Sequence, residues 1–86
     1  KQESSLSEEQ IKILQYLAKD EDSGGNGVDE PVLAYRVGLK VTLLKHHIQP
    51  LVDMEYVYQG FVIDSTTYYS IDQNGINYLV NHGLLE

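Results

Sequence analysis

The sequence predicts an α+β fold in which several helices precede a β-hairpin and one helix follows it. Three observations support this fold class. Apolar residues recur at helical spacing as far as Met54, and from Tyr56 the period changes to two. An aspartate-serine turn divides the alternating part. Helical spacing returns after Asp72, and a chain of 86 residues has the length of one small domain, expected over 1–86.

The first helix is predicted over 7–19, after an N-terminal segment at 1–6 that we expect to be disordered. Ser7 and Gln10 form a capping box, because the hydroxyl can accept from the amide of residue 10 while the Gln10 side chain reaches back. Acids and glycines in 20–28 predict a flexible loop, with room for a short strand at Val28. The apolar positions of the helix are Ile11, Leu14, Leu17 and Ala18.

The stretch 30–54 is typical of a helix-turn-helix. Asp29 or a neighbour is expected to cap the first of its helices, and Gly38 supplies the left-handed conformation that ends it. A longer helix follows from about Val41, and Pro50 should kink it or end its regular part. Apolar positions are Val32, Leu33, Tyr35 and Val37 in the shorter helix, and Leu44, Ile48, Leu51 and Val52 in the longer one.

Residues 56–71 are rich in aromatic and β-branched side chains and predict a β-hairpin. Asp64 and Ser65 would form its turn, and Gly60 is a candidate bulge. A last helix is predicted over 72–82, capped by Asp72 and ended at His82-Gly83. Its inward positions are expected to be Ile76, Leu79 and Val80.

Two segments resemble the winged-helix domains of small bacterial and archaeal transcription regulators. Gly38 to Val57 is similar to the turn, the recognition helix and the start of the wing in that family. Tyr69 to Leu79 is similar to the family pattern Tyr-x-Leu-Thr-x-x-Gly-x-x-x-Leu. The resemblance covers about Ser7 to Leu85. It implies a three-helix helix-turn-helix core, a two-stranded β-hairpin wing and a C-terminal helix.

The sequence departs from that family at several points. Glu55 stands after the recognition helix, where many relatives have glycine, and Pro50 within this helix is unusual. The wing, residues 60–67, contains no lysine or arginine but does contain Asp64. Wings that touch the DNA backbone normally carry cations. Glu55 raises the question of how tight the turn after the recognition helix is, and the lack of cations raises the question of whether the wing contacts DNA.

Composition excludes several functional classes. The chain has no cysteine, so it has neither a disulfide framework nor a thiolate site. No serine, histidine and acid are placed together as a catalytic group, so we expect a non-enzyme with no cofactor and no evident small-molecule site. Adjacent His46 and His47 would point about 100° apart on a helix, so no metal site is expected. No apolar run approaches the ~20 residues that span a bilayer, which favours a cytoplasmic protein, nucleoid-associated if it binds DNA.

The formal net charge of −7 opposes binding to a polyanion, but the charge is unevenly distributed. Between Pro31 and Val52 there is no acid, and half of the six cationic residues lie there. The exposed side of the longer helix could therefore enter the major groove, with Arg36 near the backbone. A solvated helix face with no partner is the alternative. The predicted DNA-binding residues are Arg36, Lys40, Thr42, Lys45, His46 and Gln49.

A protein-interaction module that does not bind DNA is the rival prediction, favoured by the net charge and the cation-free wing. Phe61, Val62 and Ile63 are its contact candidates, unless they fold onto the core of the domain. Leu84 and Leu85 also predict a homodimer through the first or last helix. A third alternative is a degenerate fold that serves only as a scaffold.

Overall fold

The computed structural model describes residues 6–25 and 27–84, and in these ranges the side chains of Phe61 and Ile63 are excepted. The predicted order of elements is confirmed as an α+β winged helix. Residues 1–5 of the predicted disordered segment, and Leu85 of the predicted dimer contact, lie outside the described residues. The elements are α1 (Glu8–Asp22), β1 (Val28–Asp29), α2 (Glu30–Val37), α3 (Val41–Asp53), β2 (Val57–Ile63), β3 (Thr66–Ile71) and α4 (Gln73–Asn81).

Local signals place the helix starts where the sequence predicts them. Ser7 Oγ accepts from the Gln10 amide and Gln10 Oε1 accepts from the Ser7 amide, which completes the capping box. The Asp29 carboxylate accepts from the Val32 amide at the start of α2. Gly38 ends α2 with φ 76°, the left-handed conformation expected of it.

Helix α1 continues through Asp22, beyond the predicted end at Lys19. Its end is closed by Ser23, whose backbone amide donates to the carbonyls of Lys19 and Asp20 and whose hydroxyl donates to the Lys19 carbonyl. These bonds satisfy carbonyls that a helix end leaves free, and so they compensate for the poor helix propensity of the acidic tail. The loop before β1 is correspondingly shorter than predicted.

The hairpin has a two-residue turn at Asp64 and Ser65, with φ 52° and 65°. Positive φ at both central positions is the handedness that matches the twist of paired strands. Strand β3 lies in the middle of a three-stranded antiparallel sheet of order β1-β3-β2. The strand predicted at Val28 therefore joins the sheet through β3 rather than through the wing's outer strand.

The predicted bulge in the wing is confirmed. Gln59 pairs with Tyr69 and Val62 pairs with Thr67, so two residues of β2, beginning at Gly60, oppose a single residue of β3. The extra residue bends β2 between the wing's base and its tip.

One core, formed by α1, α2, α3, the sheet and α4, lies beneath the helix-turn-helix. The predicted stripe of α3 is confirmed, since Leu44, Ile48 and Leu51 are buried. In α1 the buried residues are Ile13, Leu14, Leu17 and Ala18, while Ile11, predicted for the core, is half-buried.

Three other predicted inward positions were wrong. Tyr35 is 80% exposed and Val80 57% exposed, and Val32 is exposed as well. On the short helices α2 and α4 the buried residues are Leu33, Ala34, Gly75 and Leu79, with Val37, Ile76 and Tyr78 packed beside them.

Pro50 does not end α3, which continues to Asp53. A proline at this position removes the amide that would bond the His46 carbonyl. Both Pro50 and His46 are exposed, so water can reach the carbonyl instead. Glu55 then takes the left-handed conformation, φ 64°, and the turn into β2 forms without the family's glycine.

Tyr69 of β3 joins the sheet to the start of α2. Its hydroxyl donates to Glu30 Oε2 over 3.0 Å. Burial, and then this contact with the Glu30 carboxylate, raises the pKa of Tyr69 from 10.0 to about 12. The neutral phenol is therefore the form that the fold favours.

The C-terminal turn packs back onto α1. The Leu84 amide donates to the Leu79 carbonyl, and the Leu84 carbonyl accepts from Gln15 Nε2. His82 Nδ1 lies 2.9 Å from the Tyr78 carbonyl oxygen and its ring stacks on Tyr78, as expected for a residue at a helix C-terminus. In the described part of the chain, no helix is long and apolar enough to cross a membrane.

Candidate nucleic-acid interface

Helix α3 presents a polar face to solvent because its apolar stripe is buried. All six predicted DNA-binding side chains are exposed: Arg36, Lys40, Thr42, Lys45, His46 and Gln49. Lys40 is the N-cap residue of α3 and Arg36 lies in the last turn of α2, so Val37, Gly38 and Leu39 separate them in the chain. The exposed face therefore runs from the end of α2, through the turn, along α3.

The two ends of this face differ in charge. Its first turn holds no acid, and the N-cap Lys40 makes no side-chain capping bond. Toward its C-terminal end, Gln49 Nε2 donates to Asp53 Oδ1 over 3.0 Å. The carboxylate occupies one donor of the Gln49 amide and adds negative charge there. Electrostatics therefore favour contact with phosphates at the N-terminal half of α3.

A single glutamine fixes α3 against α1. Gln10, already bound to Ser7 through Oε1, donates from Nε2 to the His47 carbonyl over 3.1 Å. Because the helix bond of that carbonyl leaves a second lone pair, Gln10 can bind it without breaking α3. The capping box at the start of α1 thus also positions the middle of the candidate recognition helix.

His46 and His47 are adjacent on α3 and differ in exposure. Their rings meet edge-on with centroids 5.3 Å apart; His46 is exposed and His47 half-buried. Within residues 6–25 and 27–84, no group of three or more histidines and acids is placed to hold a metal ion.

The wing differs from α3 in carrying exposed apolar surface without any lysine or arginine. Val62 is 59% exposed, as a protein-contact residue would be, and Tyr58 is exposed at the base of the same strand. The side chains of the two other contact candidates, Phe61 and Ile63, lie outside the described residues.

Sequence reasoning missed some exposed residues beside the predicted set. Val41 and Leu43, in the first turn of α3, are both exposed apolar residues. Helix geometry could have predicted the exposure of Leu43, because this residue is turned about 100° from the buried Leu44 and so lies off the buried stripe. Lys12 and Lys19 of α1 were also missed, and they line a groove next to Arg36.

Comparison with known proteins supports the fold. MepR, a transcription regulator of the Staphylococcus aureus multidrug efflux pump MepA, superposes with a TM-score of 0.79 at 14% identity over 92% of this chain and 56% of its own. Lactococcus lactis ZitR, a zinc-responsive MarR family member, gives 0.75 at 14% identity over 96% of this chain and 55% of its own. This chain thus spans little more than half the length of these two proteins.

A third structure matches over nearly its whole length. It is a candidate DNA-binding protein from Ralstonia eutropha JMP134, with a TM-score of 0.77 at 16% identity over 91% of this chain and 98% of its own. No protein-family profile and no curated protein matches the sequence. At these identities the likeness establishes the winged-helix fold.

Proposed function

We propose that this winged-helix domain binds duplex DNA as part of a transcription regulator, with α3 in the major groove. The observation that carries the proposal is the exposed face of α3, which presents Lys40, Thr42 and Lys45 and has no acid in its first turn. Lysine and threonine can hold phosphates, and lysine, glutamine and histidine can bond base edges. The regulators that share the fold support the same class of function.

One copy of the domain should bind weakly. Three cations on this face, Arg36, Lys40 and Lys45, would give a slope of about −2.7 for log K against log salt concentration. Specific binding would therefore require a second copy or a second domain. A homodimer belongs to the proposal, and sedimentation at high concentration tests it.

The proposal is tested by titrating isotope-labelled protein with mixed-sequence duplex at low salt. We expect amide shifts within residues 36–49 that shrink as salt rises. The double variant Lys40→Gln/Lys45→Gln should flatten the salt slope by about 1.8, because two phosphate contacts are lost. Absence of shifts at every salt concentration would refute DNA binding.

A matched control separates local contact from net charge. The double variant Asn74→Asp/Asn81→Asp lowers the net charge by the same two units at exposed positions of α4. It should keep the wild-type salt slope, since α4 is not part of the proposed interface. Circular dichroism confirms that both variants fold.

A protein-contact function is the second candidate, favoured by the exposed Val62 and Tyr58 on a wing without cations. Exposed apolar side chains on a hairpin suit a protein partner better than a phosphate backbone. In that case the DNA titration produces no shifts, and Val62→Gln weakens partner binding while leaving the fold intact.

A further inference from the structure

Helices α1 and α2 enclose an open groove of about 400 Å³ beside the helix-turn-helix. Its walls carry three cations, Lys12 and Lys19 from α1 and Arg36 from α2, together with Tyr35 and Gly38. The three cations are exposed, and none forms an ion pair within the described ranges. Their charge is therefore available to an external anion.

The charge of this groove contrasts with that of the whole molecule. The chain has thirteen acids and six cations, yet half of those cations and no acid line the groove. The reason lies in the sequence: 10–19 and 31–52 contain no acid, and the groove is built from these two stretches. A positive surface of this kind attracts anions despite the net charge.

The groove adjoins the N-terminal end of α3. Gly38 lines it and precedes Lys40 by two residues, so their Cα atoms are at most about 7 Å apart. The groove that carries Lys12, Lys19 and Arg36 thus borders the turn that leads into the face proposed to enter the major groove. A duplex that α3 entered would bring its backbone toward this groove.

We propose that the α1–α2 groove binds backbone phosphates of the same duplex whose major groove α3 enters. This inference rests on the proposed function. Lys12 and Lys19 are seven residues apart, about 10 Å along α1, while one strand places a phosphate every 3.4 Å along the duplex axis. Lys12 and Lys19 therefore contact different phosphates of one strand. Tyr35, 80% exposed, donates its hydroxyl to a phosphate oxygen.

The groove fits a polyanion better than a small anion. It is open to solvent and its lysines are exposed, so a single free phosphate gains little. A duplex binds through several contacts at once and releases a condensed counterion at each one. Five contacts, from Lys12, Lys19, Arg36, Lys40 and Lys45, would give a salt slope of about −4.5, against about −2.7 for three.

The test compares Lys12→Gln/Lys19→Gln with the wild type and with the control Asn74→Asp/Asn81→Asp in duplex titrations from low to moderate salt. We expect the salt slope to flatten by about 1.8 and the affinity near 0.1 M salt to fall on the order of 10- to 60-fold. The control, with the same net charge, should keep the wild-type slope. Tyr35→Phe, which removes only a hydroxyl, should weaken binding at every salt concentration without changing the slope.

The outcomes separate this inference from the proposed function. If Lys40→Gln/Lys45→Gln flattens the slope and Lys12→Gln/Lys19→Gln does not, the duplex is bound and the groove inference is overturned. If the wild type binds no duplex, both fail. Inorganic phosphate is also titrated alone. Saturable amide shifts at Lys12, Lys19 and Arg36, together with a duplex salt slope that Lys12→Gln/Lys19→Gln leaves unchanged, would assign the groove to a free anion and overturn the inference.

Discussion

The helix-turn-helix half of the molecule, α1 to α3, and the wing half, β2 to α4, are joined to their surroundings in different ways. In the helical half, side chains make the joints: Gln10 binds the His47 carbonyl and Glu30 accepts from Tyr69. In the wing half, backbone contacts are the closest, at the bulge that begins at Gly60 and where Gly75 approaches the Tyr56 carbonyl, although Tyr69 and the Leu84 carbonyl of this half also bond to side chains of α2 and α1. A side-chain hydrogen bond can be removed by substituting one partner, whereas a close backbone approach leaves no room for an added Cβ.

The cations, though not the acids, are confined to one of the same two halves. All the described cations lie on α1, on α2 or at α3 and its N-cap, while the wing carries Asp64 and exposed Val62. In the proposed complex the helical half therefore supplies the electrostatic attraction. Four substitutions or conditions test this contrast.

Gly75→Ala should have the largest effect. A Cβ at this position would meet the Tyr56 carbonyl oxygen and would lie 2.9 Å from Ile71 Cγ1. In an exposed helix the change from glycine to alanine is favourable, but here we expect the free energy of unfolding to fall by roughly 3 kcal/mol. Urea denaturation measures it, with Asn74→Ala on the exposed side of α4 as the control. An unchanged or raised free energy of unfolding would show that the backbone around Tyr56 and Ile71 moves to accommodate the added Cβ.

Alkaline pH should weaken the hydrogen bond between the Tyr69 hydroxyl and the Glu30 carboxylate. Because the pKa of Tyr69 is raised to about 12 in the folded protein, its stabilising effect is complete below pH 10 and is lost as pH rises through 12. The shift corresponds to about 2 to 3 kcal/mol in the free energy of unfolding. Denaturation of wild type and Tyr69→Phe between pH 9 and 12 measures it. Parallel curves for the two proteins would contradict this assignment.

Val62→Lys places a cation on the cation-free wing. If the wing lies beside DNA, one added phosphate contact should steepen the salt slope by about 0.9 and tighten binding about tenfold near 0.1 M salt. Val62→Gln is the control, because it removes the same apolar side chain without adding charge. Equal affinities for the two variants would mean that the wing faces away from DNA, and would favour its role as a protein contact.

Glu55→Gly should have the smallest effect. Glu55 has φ 64°, a conformation that costs a non-glycine residue about 1 kcal/mol or more, while glycine adds entropy to the unfolded chain. We expect the free energy of unfolding to rise by about 0.5 to 1 kcal/mol. Thermal unfolding measures the gain, and Glu55→Gln, which removes only the charge, should leave stability near that of the wild type. A loss of stability in the glycine variant would show that the turn is unstrained.

Much of the fold could be predicted because its signals are local. The capping box at Ser7 and Gln10, the turn at Asp64 and Ser65, and the bounds of α4 depend on neighbours in the chain. The extension of α1 was missed because acids at a helix C-terminus are unfavourable, and bonds from Ser23, Gly24 and Gly25 to its last carbonyls compensate. Sequence spacing placed Val80 inward, but α4 contacts the rest of the domain along a narrower strip than its apolar residues suggest.

The candidate site was predictable in part. The exposure of Lys45 and Gln49 follows from the buried stripe of α3, which the sequence shows directly. The groove was not predictable, since it depends on how α1 packs beside α2. Nothing in the spacing of Lys12 and Lys19 relates them to Arg36, which is far along the chain.

The segregation of acids from the two stretches 10–19 and 31–52 has a consequence for molecular encounter. Beyond the Debye length, about 10 Å at 0.1 M salt, the net charge is largely screened; within that distance, the acids repel a nucleic acid and the cations attract it. A nucleic acid is then repelled from most directions, and the encounters that lead to binding are those in which the cationic side of the domain faces it. The excess of acids thus acts as an orientational filter, which discourages indiscriminate adhesion to any polyanion that the domain meets.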